Sequence, residues 1–306
     1  MSSGGVPSAS RPLEGKIGIV TGGSRGIGAA IASNLASKGC SLLLNYTSTS
    51  SSQRTQELCE SLARTHSIQC HSVQADLSNP TVAVEKILSA AKTHFPNPTG
   101  NTIDILINNA GVAGDKRLND AERGPIDAET FHRQYTINVL APLLLTQAVA
   151  PYLPRDRSGR IINVSSVSSS LGFEGQSVYG GTKAALEAMT RTWARELGDR
   201  ATVNAINPGP VIGDMYWAAG EGFWETMQGW QDNAPGSKIV VEDGFTGTGK
   251  ERLSEKEQRI VREKMGGRRP AYTDEVAGVV GMLCLKDAAW CTGSVVCANG
   301  GLRMGG

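Results

Sequence analysis

The run Lys16-Ile17-Gly18-Ile19-Val20-Thr21-Gly22-Gly23-Ser24-Arg25-Gly26-Ile27-Gly28 joins three kinds of local structure in thirteen residues. Its first five positions read as a buried strand. The apolar and small residues that follow it, Ala29, Ile31, Ala32, Leu35 and Ala36, recur at helical spacing and are closed by Gly39, the usual residue for ending a helix. Between them lies a turn rich in glycine. Strand, glycine turn and helix together make a phosphate cradle, because glycines let the backbone approach a pyrophosphate while the helix N-terminus offers N–H donors and partial positive charge. A glycine turn alone is weak evidence, so the rest of the chain must show the α/β alternation that such a unit belongs to.

The alternation continues. A strand over 41–48 (Ser-Leu-Leu-Leu-Asn-Tyr-Thr-Ser) leads to a helix over 52–65, a strand over 68–74 and a helix over 81–93. A loop containing Pro and Gly then leads to Ile103-Asp104-Ile105-Leu106-Ile107, a strand ending in Asn108-Asn109-Ala110-Gly111. Residues 112–126 are polar and read as a mobile loop, followed by a helical stretch that carries Asn138. Arg160-Ile161-Ile162-Asn163-Val164 reads as another buried strand, with Ser166 just past its end. Thirteen positions later, Tyr179-x-x-x-Lys183 opens a helical pattern, which puts phenol and ammonium one turn apart on one face. A tyrosine titrates near ~10, and a cation beside it favours the phenolate, so this pair is expected to lower the Tyr179 pKa toward working pH. A strand over 202–207, a helix over 273–285 and a strand over 294–297 complete the series.

Composition excludes several classes. The chain has 306 residues with 30 Lys plus Arg against 29 Asp plus Glu, a balance that gives no reason to expect nucleic acid or an anionic membrane as partner. Six cysteines, none in Cys-x-x-Cys spacing, and four scattered histidines suggest neither a disulfide framework nor a metal site, and they fit a reducing compartment such as the cytoplasm. The most apolar stretch, 139–153, is too short for a membrane span and contains Pro142, Gln147 and Pro151. Residues 1–12, rich in Ser, Gly and Pro, read as a disordered arm.

Ser166, Tyr179 and Lys183 at these spacings, with the Thr21-Gly22-x-x-x-Gly26-x-Gly28 turn, resemble the active-site and cofactor signatures of the short-chain dehydrogenase/reductase family. The resemblance covers about 14–215 and 271–302. It implies catalysis by Ser166, Tyr179 and Lys183, with Asn138 interrupting its helix to hold, through its main-chain carbonyl, a water that links Lys183 to solvent. It implies a nicotinamide dinucleotide cleft built from Gly22, Ser24, Arg25, Gly26, Ile27 and Gly28, with Asp76 and Leu77 at the adenine, Asn109, Ala110 and Gly111 along the wall, and Pro208, Gly209 and Val211 beside the nicotinamide. The strand over 41–48 ends without the acidic residue that would bind an unphosphorylated ribose, and Arg25 adds a cation, so NADP(H) is expected, with Arg25, Asn45, Thr47 and Ser48 at the 2′-phosphate. The Asn45-Tyr46 segment resembles NADP-dependent fungal polyketide reductases. Two departures stand out: Gly213 occupies a position where the family often has threonine, and Ala298-Asn299-Gly300-Gly301 stands where Asp-Gly-Gly is common.

The segment 215–270 is least like the family. Trp217, Trp224 and Trp230 place three of five tryptophans within fourteen residues, joined by Tyr216, Phe223 and Met227, and read as an aromatic substrate lid. Ser254-x-x-Glu257 reads as a capping box opening a short amphipathic helix within an insertion. The expected architecture is α/β: one doubly wound, Rossmann-type domain over 13–306 with a mainly parallel sheet, right-handed crossovers, the cleft at the strands' carboxyl ends and an extended lid over 215–270. The expected function is NADPH-dependent reduction of a small-molecule carbonyl, on an aromatic or polyketide-like compound, by a homo-oligomer, dimer or tetramer. Operation as an NADP-linked alcohol dehydrogenase or 3-oxoacyl reductase, or as a non-catalytic NADPH sensor, remains open at this point.

Overall fold

The computed structural model describes residues 11–96, 102–213, 216–217, 220–239 and 253–304. Seven parallel strands form its sheet: β1 (Ile17–Val20), β2 (Ser41–Tyr46), β3 (Cys70–Gln74), β4 (Ile105–Asn108), β5 (Gly159–Val164), β6 (Ala201–Pro208) and β7 (Val295–Ala298), in the spatial order 3-2-1-4-5-6-7. The chain winds outward from β1 in one direction and from β4 in the other. At that reversal the connections leave on opposite sides and open a crevice at the carboxyl ends of β1 and β4.

Side chains alternate across a strand, so both faces of a parallel sheet must be covered. Val20, Leu42, Leu44, Ile107 and Ile162 pack with α1 (Gly26–Ser37), α2 (Ser52–His66) and the last helix, Thr273–Cys284. Ile19, Leu43, Leu106, Ile161 and Val203 pack on the other side with α3 (Pro80–His94), α5 (Ala141–Val149) and α6 (Ser177–Glu196). A shorter helix, α4 (Ala128–Tyr135), is capped by the Asp127 carboxylate and runs through a π-helical turn, Thr136–Leu140, into α5. The expected polar loop before it contains a small antiparallel hairpin pairing Asn119–Asp120 with Gly124–Pro125.

The expected arm falls mostly on residues 1–10, outside the described residues. Arg11, near its end, donates to the His66 carbonyl at 2.6 Å, and Leu13 is already in the core. Beyond β6, α7 (Glu221–Asp232) and α8 (Glu255–Lys264) build the segment read as a lid; Asp214, Met215 and 240–252 lie outside the described residues. The capping box at Ser254 forms, with the Ser254 N–H donating to Glu257 Oε2 at 2.7 Å and the Glu257 N–H donating to Ser254 Oγ at 3.3 Å. The aromatic residues here were expected to face a substrate. Tyr216, Trp217, Phe223 and Trp224 instead pack edge-on or stacked upon one another and close a small core of their own with Ile212, Val261, Met265 and Tyr272, whereas Trp230 stays exposed, edge-on to Phe173. Packing these rings against one another, with Tyr216 buried and the other three partly so, removes more apolar area from water than facing an open cleft would. The last helix, here α9 (Thr273–Cys284), returns the chain to β7.

Candidate active site

The glycine turn is held from below. Thr21 Oγ1 accepts the backbone N–H groups of Asn109 and Ala110, each at 3.0 Å, while Asn109 Nδ2 donates to the Thr21 carbonyl at 2.8 Å. The ends of β1 and β4 are thereby fixed to each other across the crevice. Gly22 and Gly26 adopt φ of +63° and +55°, a region in which glycine is at ease. A methyl on Gly28 would overlap the Gly22 carbonyl oxygen, so helix α1 can start this close to β1 only with glycine there. A methyl on Gly26, by contrast, would meet nothing within 4 Å: the open side of the turn has room for a ligand.

The residues expected around a 2′-phosphate divide. Arg25 is exposed in the glycine turn just before α1, and Thr47 and Ser48 are exposed just past the carboxyl end of β2, with the Ser48 hydroxyl 2.8 Å from that of Ser50. Asn45 is turned inward and buried, donating to the Ala75 carbonyl at 2.9 Å, and Tyr46 is buried with its hydroxyl 3.1 Å from Ser52 Oγ. Both therefore steady the end of β2 and present no side-chain donor outward. Asp76 is exposed and accepts the Ser78 N–H at 2.9 Å, next to buried Leu77. On the far side, Pro208, Gly209 and Val211 leave β6, and Val211 bridges to Ala271.

Ser166, Tyr179 and Lys183 meet at the carboxyl end of β5. Ser166 lies close enough to Tyr179 to act on its pKa, and its hydroxyl donates to Ser168 Oγ at 3.0 Å. Lys183 is buried on α6, donates to the Val164 carbonyl at 2.8 Å and holds its ammonium 5.6 Å from the centre of the Tyr179 ring. Asn138 sits in the π-helical turn with its Oδ1 accepting the Val112 N–H at 2.9 Å and its Nδ2 reaching the Val112 carbonyl at 2.8 Å and Thr182 Oγ1 at 3.1 Å. Gly111 lies beside both: a methyl there would be 3.3 Å from Asn138 Oδ1 and 3.5 Å from Lys183 Nζ. The helix is thus interrupted at Asn138, where the resemblance implied a break.

The expected lowering of the Tyr179 pKa is not what the structure gives. Burial pushes the phenol up to about 12, with the Ser166 hydrogen bond opposing the shift and the Asp115 charge adding to it. Lys183 moves instead, pushed down to about 8 by burial, with Glu187 working against that shift. Desolvation outweighs the nearby cation because the ammonium itself is buried and bound to a carbonyl. Three participants were missed in the sequence. Glu187 accepts from Ser165 at 2.8 Å and Ser169 at 2.7 Å, and its position one helical turn after Lys183 was the available signal. Thr21 looked like part of the turn, and Asp115 like part of a polar loop. Behind the site Asn108, Asn163 and Thr190 form a buried chain, Asn108 Nδ2 donating to Asn163 Oδ1 and Asn163 Nδ2 to Thr190 Oγ1, both at 2.8 Å, so β4, β5 and α6 keep one register.

The description of the short-chain dehydrogenase family matches residues 16–222. The chain belongs to that family. Its members are oxidoreductases, and this one acts on a CH–OH/C=O couple. The chain is 71% identical over 299 residues to an L-xylulose reductase of Aspergillus niger, covering 96% of this chain and 99% of that protein. It is 56% identical over 304 residues to an L-xylo-3-hexulose reductase of Hypocrea jecorina, covering 96% and 98% respectively. Among solved structures, a blue fluorescent protein from a metagenomic library, in complex with NADPH, superposes with a TM-score of 0.76 at 29% identity, over 96% of this chain and all of that one. Among the described residues no helix is long and apolar enough to cross a membrane, and no cluster of potential metal ligands occurs.

Proposed function

We propose that this short-chain dehydrogenase reduces a ketose, a polyhydroxylated ketone of the L-xylulose type, to the corresponding polyol with NADPH. The observation that carries the reading is the 71% identity to an L-xylulose reductase across 96% of this chain. The family match ends at residue 222, yet that relative is matched through the lid and the C-terminal helix as well. On the lid reading those later elements would border the substrate, so likeness there would bear on substrate as well as on fold. The aromatic or polyketide substrate suggested by the tryptophans has less support, because four of the lid's aromatic rings are consumed in packing against one another.

Gly22, Ser24, Gly26, Ile27 and Gly28 would hold the pyrophosphate on the N-terminus of α1, and the exposed Arg25, Thr47 and Ser48 would meet a 2′-phosphate, with no carboxylate at the end of β2 to repel it. Bound there, the cofactor supplies the hydride. Ser166 Oγ orients the carbonyl oxygen, and the Tyr179 hydroxyl gives that oxygen its proton. A phenol pushed up to about 12 is fully protonated at neutral pH, as a general acid must be. The Lys183 ammonium, close to the ring, favours the phenolate as the proton leaves. Asn138, fixed by Val112 and Thr182, would keep Lys183 in contact with a proton relay.

The test is NADPH consumption with L-xylulose by the wild type and by Tyr179→Phe. Turnover by the wild type and a loss of roughly 10³-fold or more in kcat for the variant, with NADPH binding retained, is the expected result, since general acid catalysis contributes about 10²–10⁴-fold. Wild-type protein that ignores ketoses but reduces aromatic ketones would return the substrate to the polyketide class. NADPH binding without turnover of any carbonyl would favour a sensor.

A further inference from the structure

An aromatic contact joins the lid to the segment that carries the reactive groups. α7 buries Met227 and Gln231, while its Phe223 and Trp224 close on Tyr216 in the lid's own core. Trp230 stands apart from that core. It is 38% exposed, and its ring meets Phe173 edge-on, with 5.1 Å between centroids and the planes at 87°. Phe173 lies between Ser166 and Tyr179 in the chain.

That segment is folded back tightly upon itself. Ser166 Oγ accepts the Ser168 N–H at 3.2 Å, and a short helical turn, Ser168–Leu171, ends at Gly172 with φ of +67°. Phe173 follows, its carbonyl accepting the Gln176 N–H at 3.2 Å, and the Gln176 carbonyl accepts the Gly180 N–H at 2.7 Å. Gly180 comes back against the Ser168 carbonyl oxygen, which a methyl there would overlap. Ser166 and Tyr179 therefore stand at the base of a closed loop whose tip is residues 173–175. The tip is gripped by two other elements. Trp230 of the lid touches Phe173, and from the loop after β4 Arg117 pairs with Glu174 at 2.7 Å while the Lys116 N–H donates to the Gly175 carbonyl at 2.7 Å. Of the side-chain contacts the ring pair is the stronger, because Arg117 and Glu174 are both largely exposed and an exposed ion pair is weak.

We propose that Trp230 and Phe173 form a specificity clasp, closing the lid over a free, small carbonyl compound and excluding one tethered to a long arm, such as an acyl thioester. The inference rests on the proposed function and sharpens its substrate class. A free ketose can be enclosed while the rings stay in contact. A thioester must leave its arm lying through the mouth of the site, which holds the rings apart and forfeits their contact.

The experiment compares L-xylulose with acetoacetyl coenzyme A in the wild type, Trp230→Ala, Phe173→Ala, Trp230→Phe and the double alanine variant, and follows amide hydrogen exchange in the NADPH complexes. In either alanine variant kcat/KM on L-xylulose should fall about 2–10-fold, the worth of an aromatic pair, and mostly through KM, because the clasp holds substrate and takes no part in the chemistry. Turnover of the thioester should hold or rise, so the preference for the ketose narrows. The double variant should add little to either single one, since each alanine removes the same contact, and Trp230→Phe, which keeps a ring, should stay near the wild type. Exchange should quicken in α7 while α6, β5 and the melting temperature are unchanged, which excludes misfolding as the cause. A wild type that reduces the thioester as readily as the ketose, a preference unmoved in both alanine variants, or losses that simply add would each overturn the clasp and leave ketose reduction standing. A wild type that ignores ketoses would overturn the proposed function; exchange then decides the clasp by itself, and α7 exchanging no faster in Trp230→Ala than in the wild type would remove it as well.

Discussion

Lys183 is the most perturbed cation of the site, and its perturbation has a sign that can be followed in rate. Its ammonium is buried, bound to the Val164 carbonyl, and lowered from 10.5 to about 8. Below that value it is charged and favours the Tyr179 phenolate that forms when the proton passes to substrate. Above it the charge is lost while Tyr179, pushed up to about 12, still holds its proton. In the reduction direction kcat/KM should therefore fall about tenfold per pH unit above pH ~8, because each unit removes tenfold of the charged form. Lys183→Arg, slower throughout but permanently charged, should lack that limb. A wild-type profile flat to pH 10 would mean that the ammonium is not the group that matters. That Ser166, Tyr179 and Lys183 would come together was legible in the sequence because their spacing is fixed by one strand end and one helix face, whereas Asn138 was implied only by the resemblance. Asn45 was misread, since nothing in a strand's sequence says that its last polar side chain turns inward to the Ala75 carbonyl. The direction of the Tyr179 shift was misread for a related reason: spacing reveals which charges are near, and only three dimensions reveal how much water is gone.

At the scale of elements, most strands and helices of the sheet were readable because they are continuous apolar runs, such as β1, β4 and β5, or helical stripes, such as α1. The lid was harder. Aromatic residues at helical spacing look the same whether they face a ligand or each other, and here Tyr216, Trp217, Phe223 and Trp224 close on Val261 and Met265, both fully buried. This cluster is separate from the two that cover the sheet, so its stability should be largely its own. Met265 sits at its centre, with the Tyr216 hydroxyl 3.7 Å from its sulfur and its carbonyl accepting from Gln228 at 3.0 Å. Met265→Ala leaves a void worth about 2–5 kcal/mol. Amide hydrogen exchange should then accelerate in α7 and α8 while β1, β4 and β5 keep their protection, and the KM for substrate should rise as the lid opens more often. Equal loss of protection throughout the sheet would show that the lid and the main core unfold as one unit.

For the whole molecule, the C-terminal limb is where assembly should be visible. Among the described residues β7 ends the sheet with one edge unpaired, and its residues Val295, Val296, Cys297 and Ala298 are all only partly buried. Trp290, just before it, is 93% exposed, and Met282 on α9 is 52% exposed. An apolar sheet edge beside a bare tryptophan invites pairing with another chain, and a protein that remains soluble must cover such an edge or guard it with charge. No Lys, Arg, Asp or Glu lies between Ala288 and Leu302, so charge does not guard this one. A second copy of this chain fits best, because a symmetric interface would lay the same strand and the same tryptophan against themselves. Light scattering should find a dimer or tetramer, and Trp290→Glu should shift it to a smaller species by placing a charge at the buried centre, with the circular dichroism of the fold retained. Turnover separates two consequences. If the Gly300–Gly301 end of one protomer supports the lid of its partner, activity should fall with dilution in step with dissociation; if each site is complete alone, the smaller species should turn over at the same rate per chain. A wild type that is monomeric at micromolar concentration would remove the assembly and leave Trp290 to another partner.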